Sequence, residues 1–532
     1  MWLSLPYTLW ISIIAVFYDT PTTLVDLGYA KYQGTFNKLA GNVEFLGIRY
    51  AAAPTGSLRW REPRLPETTP SVQLANKTPS TCMQAGLGTS AFSPFPPAIN
   101  HTAQSISPPS RSEDCLFLNV VTPALGRGDL PVVVWVHGGG YAMGTAWQYN
   151  ATDLVREAGG QVVAVAIQYR LGLFGFLAGQ EVRNNGALNA GLLDQRFALQ
   201  WISKFGGDPK KVTIWGESAG AGSVVQHLIA DDGNTQPKLF RAGIISSYYI
   251  PPQYAYNHWI SEKLFLQVVE QTGCSSASDA LLCLHQIDAD VLNQINTHIR
   301  AKGIHDFVPV VDGKFITDRP SVLLGKGKLN ADTILAVANT HEAALPGLAP
   351  PDTLNNFTIS EYIANMWPTL TKKQLDEVLA LYEGQGKPVD QAIAIKGESQ
   401  YICPTYPVLR ALKGRAFKGQ FAVPPAYHFD DVFYYFPNSP VRYLVSPPFN
   451  NTEFRNNFAQ SFLNFAISLD PNIKWDSSNT LPYWPQWTER DHDEMIFNKT
   501  EADEPSFQVV PTDEGRLRRC AYWESIGVDV WQ

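Results

Sequence analysis

Gly216-Glu217-Ser218-Ala219-Gly220 places a serine between two glycines, directly after the apolar run Lys211–Trp215 (KVTIW) and ahead of a helical pattern. A serine at a sharp strand-to-helix turn has its hydroxyl pushed out of the sheet, which suits a nucleophile that is transiently acylated. The turn also sets the positive end of the helix dipole beside any oxyanion that forms. A second element, His137-Gly138-Gly139-Gly140-Tyr141, follows the run LPVVVWV. Glycines let backbone N–H groups approach a developing negative oxygen, so Gly139, Gly140 and Ala219 are the expected oxyanion-hole donors. The run has no Gly-Lys-Ser/Thr ending and no GxGxxG pattern, which removes the phosphate-loop readings.

A serine hydroxyl needs a general base, and the base needs an orienting carboxylate. In strand–turn–helix hydrolases the chain order is serine, acid, histidine. Of the ten histidines, His101 and His137 precede Ser218, and His227 lies too far along the following helix. His258, His285, His298 and His305 sit in or beside helical segments with no preceding strand, and His492 lies in a charged loop. His428, in Pro425–Phe433, is late and in a post-strand loop. Glu342 follows the strand-like run Thr333–Ala338 (TILAVA), which makes it the expected acid, while Asp312 reads as a turn residue. The base must be neutral to act, so activity is expected to fall on the acid side, near the ordinary histidine value of about 6.5.

These residues need a scaffold that aims several loops at one point. Leu130–His137, Gln161–Tyr169, Lys211–Trp215, Ala242–Ser247 and Thr333–Ala338 are continuous apolar runs, as expected for strands buried on both faces of a parallel sheet. Helical patterns lie between them, including Leu192–Phe205 and Ala221–Ala230. The alternation predicts an α/β fold: a large, mostly parallel central sheet flanked by helices, with its site at the carboxyl ends of the strands. Ile250–Ile304 and Asp352–Ala416 read as helical cap insertions, and Ser93–Pro109 as a Pro-rich surface loop. No linker divides the chain, so residues 19–532 are expected to be one domain.

The bulk numbers fit such an enzyme. The chain has 532 residues, 45% of them hydrophobic, enough for a large core. A net charge of −8 without basic blocks disfavours nucleic acid as a partner. The apolar run Trp2–Phe17 is too short to span a bilayer and reads as a signal peptide over residues 1–18. Six cysteines without metal-like spacing, and glycosylation sequons at Asn76, Asn100, Asn150, Asn356, Asn450 and Asn498, agree with export through an oxidising route. A secreted chain with no stable membrane anchor, metal or cofactor is expected.

With these motifs in place the chain resembles the type-B carboxylesterase family, which includes cholinesterases and secreted fungal lipases. The likeness runs through Phe45–Ala51 (FLGIRYA), Ser112–Val120 (SEDCLFLNV), Asn189–Arg196 (NAGLLDQR), the serine block, Phe307–Gly313 (FVPVVDG) and Trp484–Trp487 (WPQW). It implies an α/β-hydrolase fold, Ser218 as nucleophile, Glu342 as acid, His428 as base, and the oxyanion hole named above. It also implies disulfides Cys82–Cys115, Cys274–Cys283 and Cys403–Cys520, which spacing alone could not select. Arg59 with Glu113 and Arg170 with Asp194 resemble the family's structural ion pairs, and Glu217 its buried supporting carboxylate. Two positions depart from the pattern. Ala343 stands where a glycine usually follows the acid. The Cys82–Cys115 loop holds Phe92, Phe95 and Ile99 but no tryptophan for a quaternary ammonium, which disfavours choline esters. The resemblance implies carboxylic ester hydrolysis. A lipase on longer acyl chains, an acyltransferase or lactonase, and a non-catalytic binding module remain the alternatives.

Overall fold

The computed structural model describes residues 23–86, 109–123, 129–302, 306–345, 354, 357–440 and 447–532. The leader, the loop segment carrying Phe92, Phe95 and Ile99, and the sequons at Asn100 and Asn356 lie outside them. In chain order the strands are β1 Leu24–Asp26, β2 Lys31–Gln33, β3 Thr35–Asn37, β4 Asn42–Arg49, β5 Val72–Leu74, β6 Phe117–Thr122 and β7 Leu130–Val136. They continue as β8 Val163–Ile167, β9 Gly207–Glu217, β10 Ala242–Ser246, β11 Thr333–Asn339, β12 Ala416–Phe421, β13 Asp493–Lys499 and β14 Pro505–Pro511. An 11-stranded sheet runs in the order β14-β13-β12-β11-β10-β9-β7-β8-β6-β4-β3, and β1-β2-β5 form a small separate sheet. From β8 through β13 every neighbouring pair is parallel, with antiparallel strands only at the two ends.

The continuous apolar runs are explained by what covers each face. Along β7, Val132, Val134 and Val136 enter one core while Val133 and Trp135 enter another, the two-residue alternation of a pleated strand. The helix Ala219–Gly233 adds Val224, Val225 and Leu228 to the first core. The helix Thr452–Ser468 adds Phe454, Phe458, Phe462 and Phe465 to the second. Helices also fill both predicted cap segments, among them Trp259–Gln271, Ala289–Lys302, Ile359–Met366, Lys372–Tyr382 and Pro388–Gly397.

One predicted helix breaks. Leu192–Phe205 is not continuous: a helix ends at Leu199, and a separate 3₁₀ turn covers Ile202–Phe205. Trp201, at the break, packs edge-on against Tyr29 at 5.2 Å, and left-handed Gly206 (φ 87°) turns the chain into β9. The ion pairs expected from the resemblance form in the interior. Arg170 holds Asp194 through two 2.7 Å hydrogen bonds, and Arg59 reaches Glu113 at 2.5 Å. Cys82–Cys115, Cys274–Cys283 and Cys403–Cys520 are bonded. Asn76 and Asn450 are exposed, and Asn150 and Asn498 are half-buried. Among the described residues no helix is long and apolar enough to cross a membrane.

Candidate active site

Four loops leave the carboxyl ends of β7, β9, β11 and β12 on one edge of the sheet, and they carry the glycine run, Ser218, Glu342 and His428. Ser218 follows the last residue of β9 and precedes the helix Ala219–Gly233. Its backbone is at φ 56° and ψ −123°, a conformation that costs on the order of 1–3 kcal/mol and persists only where surroundings enforce it. They do so here through three bonds. Ser218 N–H donates to the Ser246 carbonyl at 3.0 Å, and the Ser218 carbonyl accepts from Gly222 and Tyr249 at 2.9 and 3.3 Å.

The flanking glycines are required by space. A Cβ on Gly216 would lie 2.2 Å from the carbonyl carbon of Gly220, and one on Gly220 would lie 2.0 Å from the Val136 oxygen. A Cβ on Gly138 would come within 2.6 Å of Glu217 Oε2 and 2.9 Å of Ser218 Cβ, so the glycine run and the serine turn touch. Gly139 (φ 105°) and Gly140 (φ 62°) are both left-handed. Ala219 opens its helix, so its N–H has no intrahelical acceptor. These three donors therefore stand on the two loops that meet around Ser218.

The acid and the imidazole are brought together by backbone pairing. His341 bridges Tyr427 in parallel register, His341 N–H donates to Ala426 at 2.9 Å, and His428 N–H donates to Ala344 at 2.8 Å. The ladder aligns Glu342 Oε2 with His428 Nδ1 at 2.6 Å. The other carboxylate oxygen of Glu342 accepts from Asn339 N–H at 2.6 Å, which fixes its orientation. Ala343 is accommodated without strain, since it has no left-handed φ. His341 itself is exposed and turned to the Pro425 carbonyl. His137 is buried and stacked on Tyr169, and burial pushes its pKa down to about 4. His227 is buried against Gln195 and pushed down to about 3. Asp312 accepts from the N–H groups of Lys314, Phe315 and Ile316, as a turn residue does.

Glu217, expected as a buried carboxylate, lies beside the imidazole, and Asp431 and Tyr401 were not foreseen. Glu217 Oε1 stands 3.2 Å from His428 Nε2, without hydrogen-bond geometry. Burial raises the Glu217 carboxyl to about 8, against the pull of His428. Burial alone would lower His428, but the carboxylates of Glu217 and Glu342 outweigh it, so its pKa lies above the ordinary histidine value rather than near it. Behind the imidazole, Asp431 accepts from Asn339 Nδ2 at 3.0 Å and Tyr435 OH at 3.1 Å, and Asn339 also donates to Ser247 Oγ. Burial pushes Asp431 up to about 6. The pair Asp430-Asp431 directly after His428 was the available sequence signal. Over the ring lies Tyr401, whose centroid is 4.6 Å from that of His428.

The carboxylesterase family description fits the chain over residues 21–510, which include the strained serine turn and the buried Glu342–His428 pair. The chain belongs to the carboxylesterase family. It is 34% identical to a secreted triacylglycerol lipase of Gibberella zeae over 64% of this chain and 62% of that protein, so the alignment spans about three fifths of the relative. It is 31% identical to Lipase 4 of Diutina rugosa over 84% of this chain and 86% of that one. Among solved structures, Aspergillus niger EstA superposes with a TM-score of 0.80 at 29% identity, covering 96% of this chain and 99% of the other.

Proposed function

We propose that the chain is a secreted serine esterase that hydrolyses carboxylic esters through an acyl-enzyme on Ser218, with residues 19–532 acting as one catalytic unit. His428 takes the Ser218 proton as the hydroxyl attacks the ester carbonyl, and Glu342 stabilises the imidazolium. Gly139, Gly140 and Ala219 donate N–H groups to the oxygen of the tetrahedral intermediate. The alcohol leaves with the proton held by His428, and water repeats the sequence to release the acid. The observation that carries this reading is the 2.6 Å bond between Glu342 Oε2 and His428 Nδ1, buried on the edge where the Ser218 turn is held.

Membership of the family, the name of the Gibberella zeae relative and the three disulfides support export and ester hydrolysis. Two relatives named as lipases favour a second reading, in which the acyl chains are long. Labelling with a fluorophosphonate tests the chemistry. An adduct on Ser218, lost in Ser218→Ala with a drop in kcat of roughly 10⁴-fold or more, is expected. A protein that turns over esters with no adduct on Ser218 overturns the reading. A series of esters from acetate to long-chain triglyceride separates the two substrate ranges.

A further inference from the structure

The helix Ala289–Lys302 turns a polar face inward toward the glycine run. Asn296 accepts from Leu173 N–H at 3.1 Å, and one turn later Arg300 is 4% exposed. A Cβ on Gly140 would lie 3.2 Å from Arg300 Nη2, so this guanidinium adjoins a proposed oxyanion donor. Arg300 Nη1 donates to the Asp306 carbonyl at 3.1 Å, while its buried Nε has no hydrogen-bond partner among the described residues. The buried Asp306 Oδ2 has none either.

Lys396, on the helix Pro388–Gly397, stands within range of the Arg300 charge. The next residue, Gly397, lies against the Glu342 backbone: a Cβ there would be 3.8 Å from Glu342 N and 3.6 Å from Glu342 Cβ. The Lys396 ammonium has no hydrogen-bond or ion-pair partner among the described residues. Burial first, and the charge of Arg300 second, push it down to about 8, which still leaves it mostly charged at neutral pH. Tyr249 and Tyr401, 5.3 Å apart, connect this region to the ring of His428.

The charge of Arg300 thus reaches both the Asp306 carboxylate and Lys396, and the Lys396 ammonium is left without a carboxylate partner among the described residues. Lys396 is half-buried, and a cation partly withdrawn from water without a counter-charge is favoured by an incoming anion that forms charge-assisted bonds with it. We propose that Arg300 and Lys396 form an anion-binding subsite beside the oxyanion hole, so that the preferred substrates are esters carrying a carboxylate near the scissile carbonyl. The proposal rests on the hydrolase reading above and adds the substrate class.

The test compares matched pairs that differ in one charge. On the acyl side, mono-4-nitrophenyl glutarate is set against 4-nitrophenyl valerate; on the alcohol side, 4-carboxyphenyl valerate against 4-carbamoylphenyl valerate. In at least one pair kcat/KM should favour the anionic ester by about tenfold or more, and Lys396→Met should remove about tenfold of that ratio. The pair that responds tells which side of the ester holds the carboxylate. Arg300→Gln should lower the ratio further; should that buried variant not fold, the half-exposed Lys396 decides alone. Ratios at or below one in both pairs, or a preference that Lys396→Met leaves intact, overturn the subsite. If Ser218 still takes the fluorophosphonate in that case, the hydrolase reading survives. Failure of every ester together with no adduct sinks both.

Discussion

At 3.2 Å from His428 Nε2, the Glu217 carboxyl stands beside the nitrogen that, in the proposed mechanism, takes the Ser218 proton. A full negative charge there would hold the ring protonated and spoil it as a base. Burial opposes this by raising Glu217 to about 8 while the charge of His428 pulls it back down, so the two groups hold their protons as a coupled pair. The sign of the coupling yields a prediction. His428 is raised by Glu217 and Glu342 against the effect of its own burial, and only its neutral form can accept the serine proton. The acid limb of kcat/KM on a neutral ester is therefore expected above the ordinary value of about 6.5. Glu217→Gln keeps the shape and removes the ionisable group. It should retain kcat within about tenfold at pH 7 while moving the acid limb to lower pH. A pH–rate profile in which the limb stays where it was would show that Glu217 does not act on His428 at all.

The element scale concerns how four loops hold these groups, and here the glycines limit what the chain tolerates. Gly220 has no left-handed φ, so the objection to a side chain there is purely steric: its Cβ would meet the Val136 oxygen at 2.0 Å. Both partners are backbone and cannot rotate away. Gly220→Ala should destabilise by about 1–3 kcal/mol and disturb the Ser218 turn with it. Gly325→Ala, at a position with nothing within 4 Å of the added carbon and no left-handed φ, is the control and should be nearly neutral. Urea unfolding of both variants checks this, and equal midpoints would refute the steric account. The five strands β7 to β11 and the serine turn were legible because each is local: a buried parallel strand is a continuous apolar run, and GESAG sits between one such run and a helix, whereas β12, AFKGQF, carries Lys418 and Gln420 and gives no such run. The pairing of Glu342 with His428 was legible only through chain order, because the ladder from His341 to Tyr427 that joins their loops is tertiary. The break at Gln200–Trp201 was missed for the same reason, since the helical pattern does not reveal the Tyr29 ring that Trp201 meets. Arg300 and Lys396 carried no sequence signal, standing on cap helices whose placement over the glycine run no periodicity encodes.

Across the whole molecule, the buried ionisable groups make folding depend on pH in a direction that can be worked out. A carboxyl whose folded pKa exceeds its unfolded value of about 4 keeps its proton when the unfolded chain has lost it, so stability falls as pH rises between the two values. Asp306 and Asp431, both raised to about 6, complete this change below neutrality. Asp430, at about 7, and Glu217, at about 8, continue it above. His428 acts in the same sense, because its raised pKa gives stability that is full below about 6.5 and lost as pH passes its folded value. His137 and His227, lowered to about 4 and about 3, act in the opposite sense, but only at pH values below about 6.5 where the unfolded chain takes up their protons. Lys396, lowered to about 8, opposes the trend only on the alkaline side. Between about pH 6.5 and pH 8 the carboxyls and His428 thus act with little opposition, each retained proton contributing about 1.4 kcal/mol per pH unit. The urea midpoint should fall across that window. Replacing Glu217 by glutamine, which removes the group that titrates latest, should flatten the fall towards pH 8. A midpoint that rises over the window, or a slope the Glu217→Gln variant leaves unchanged, would mean that the carboxyls around His428 do not hold protons in the folded state.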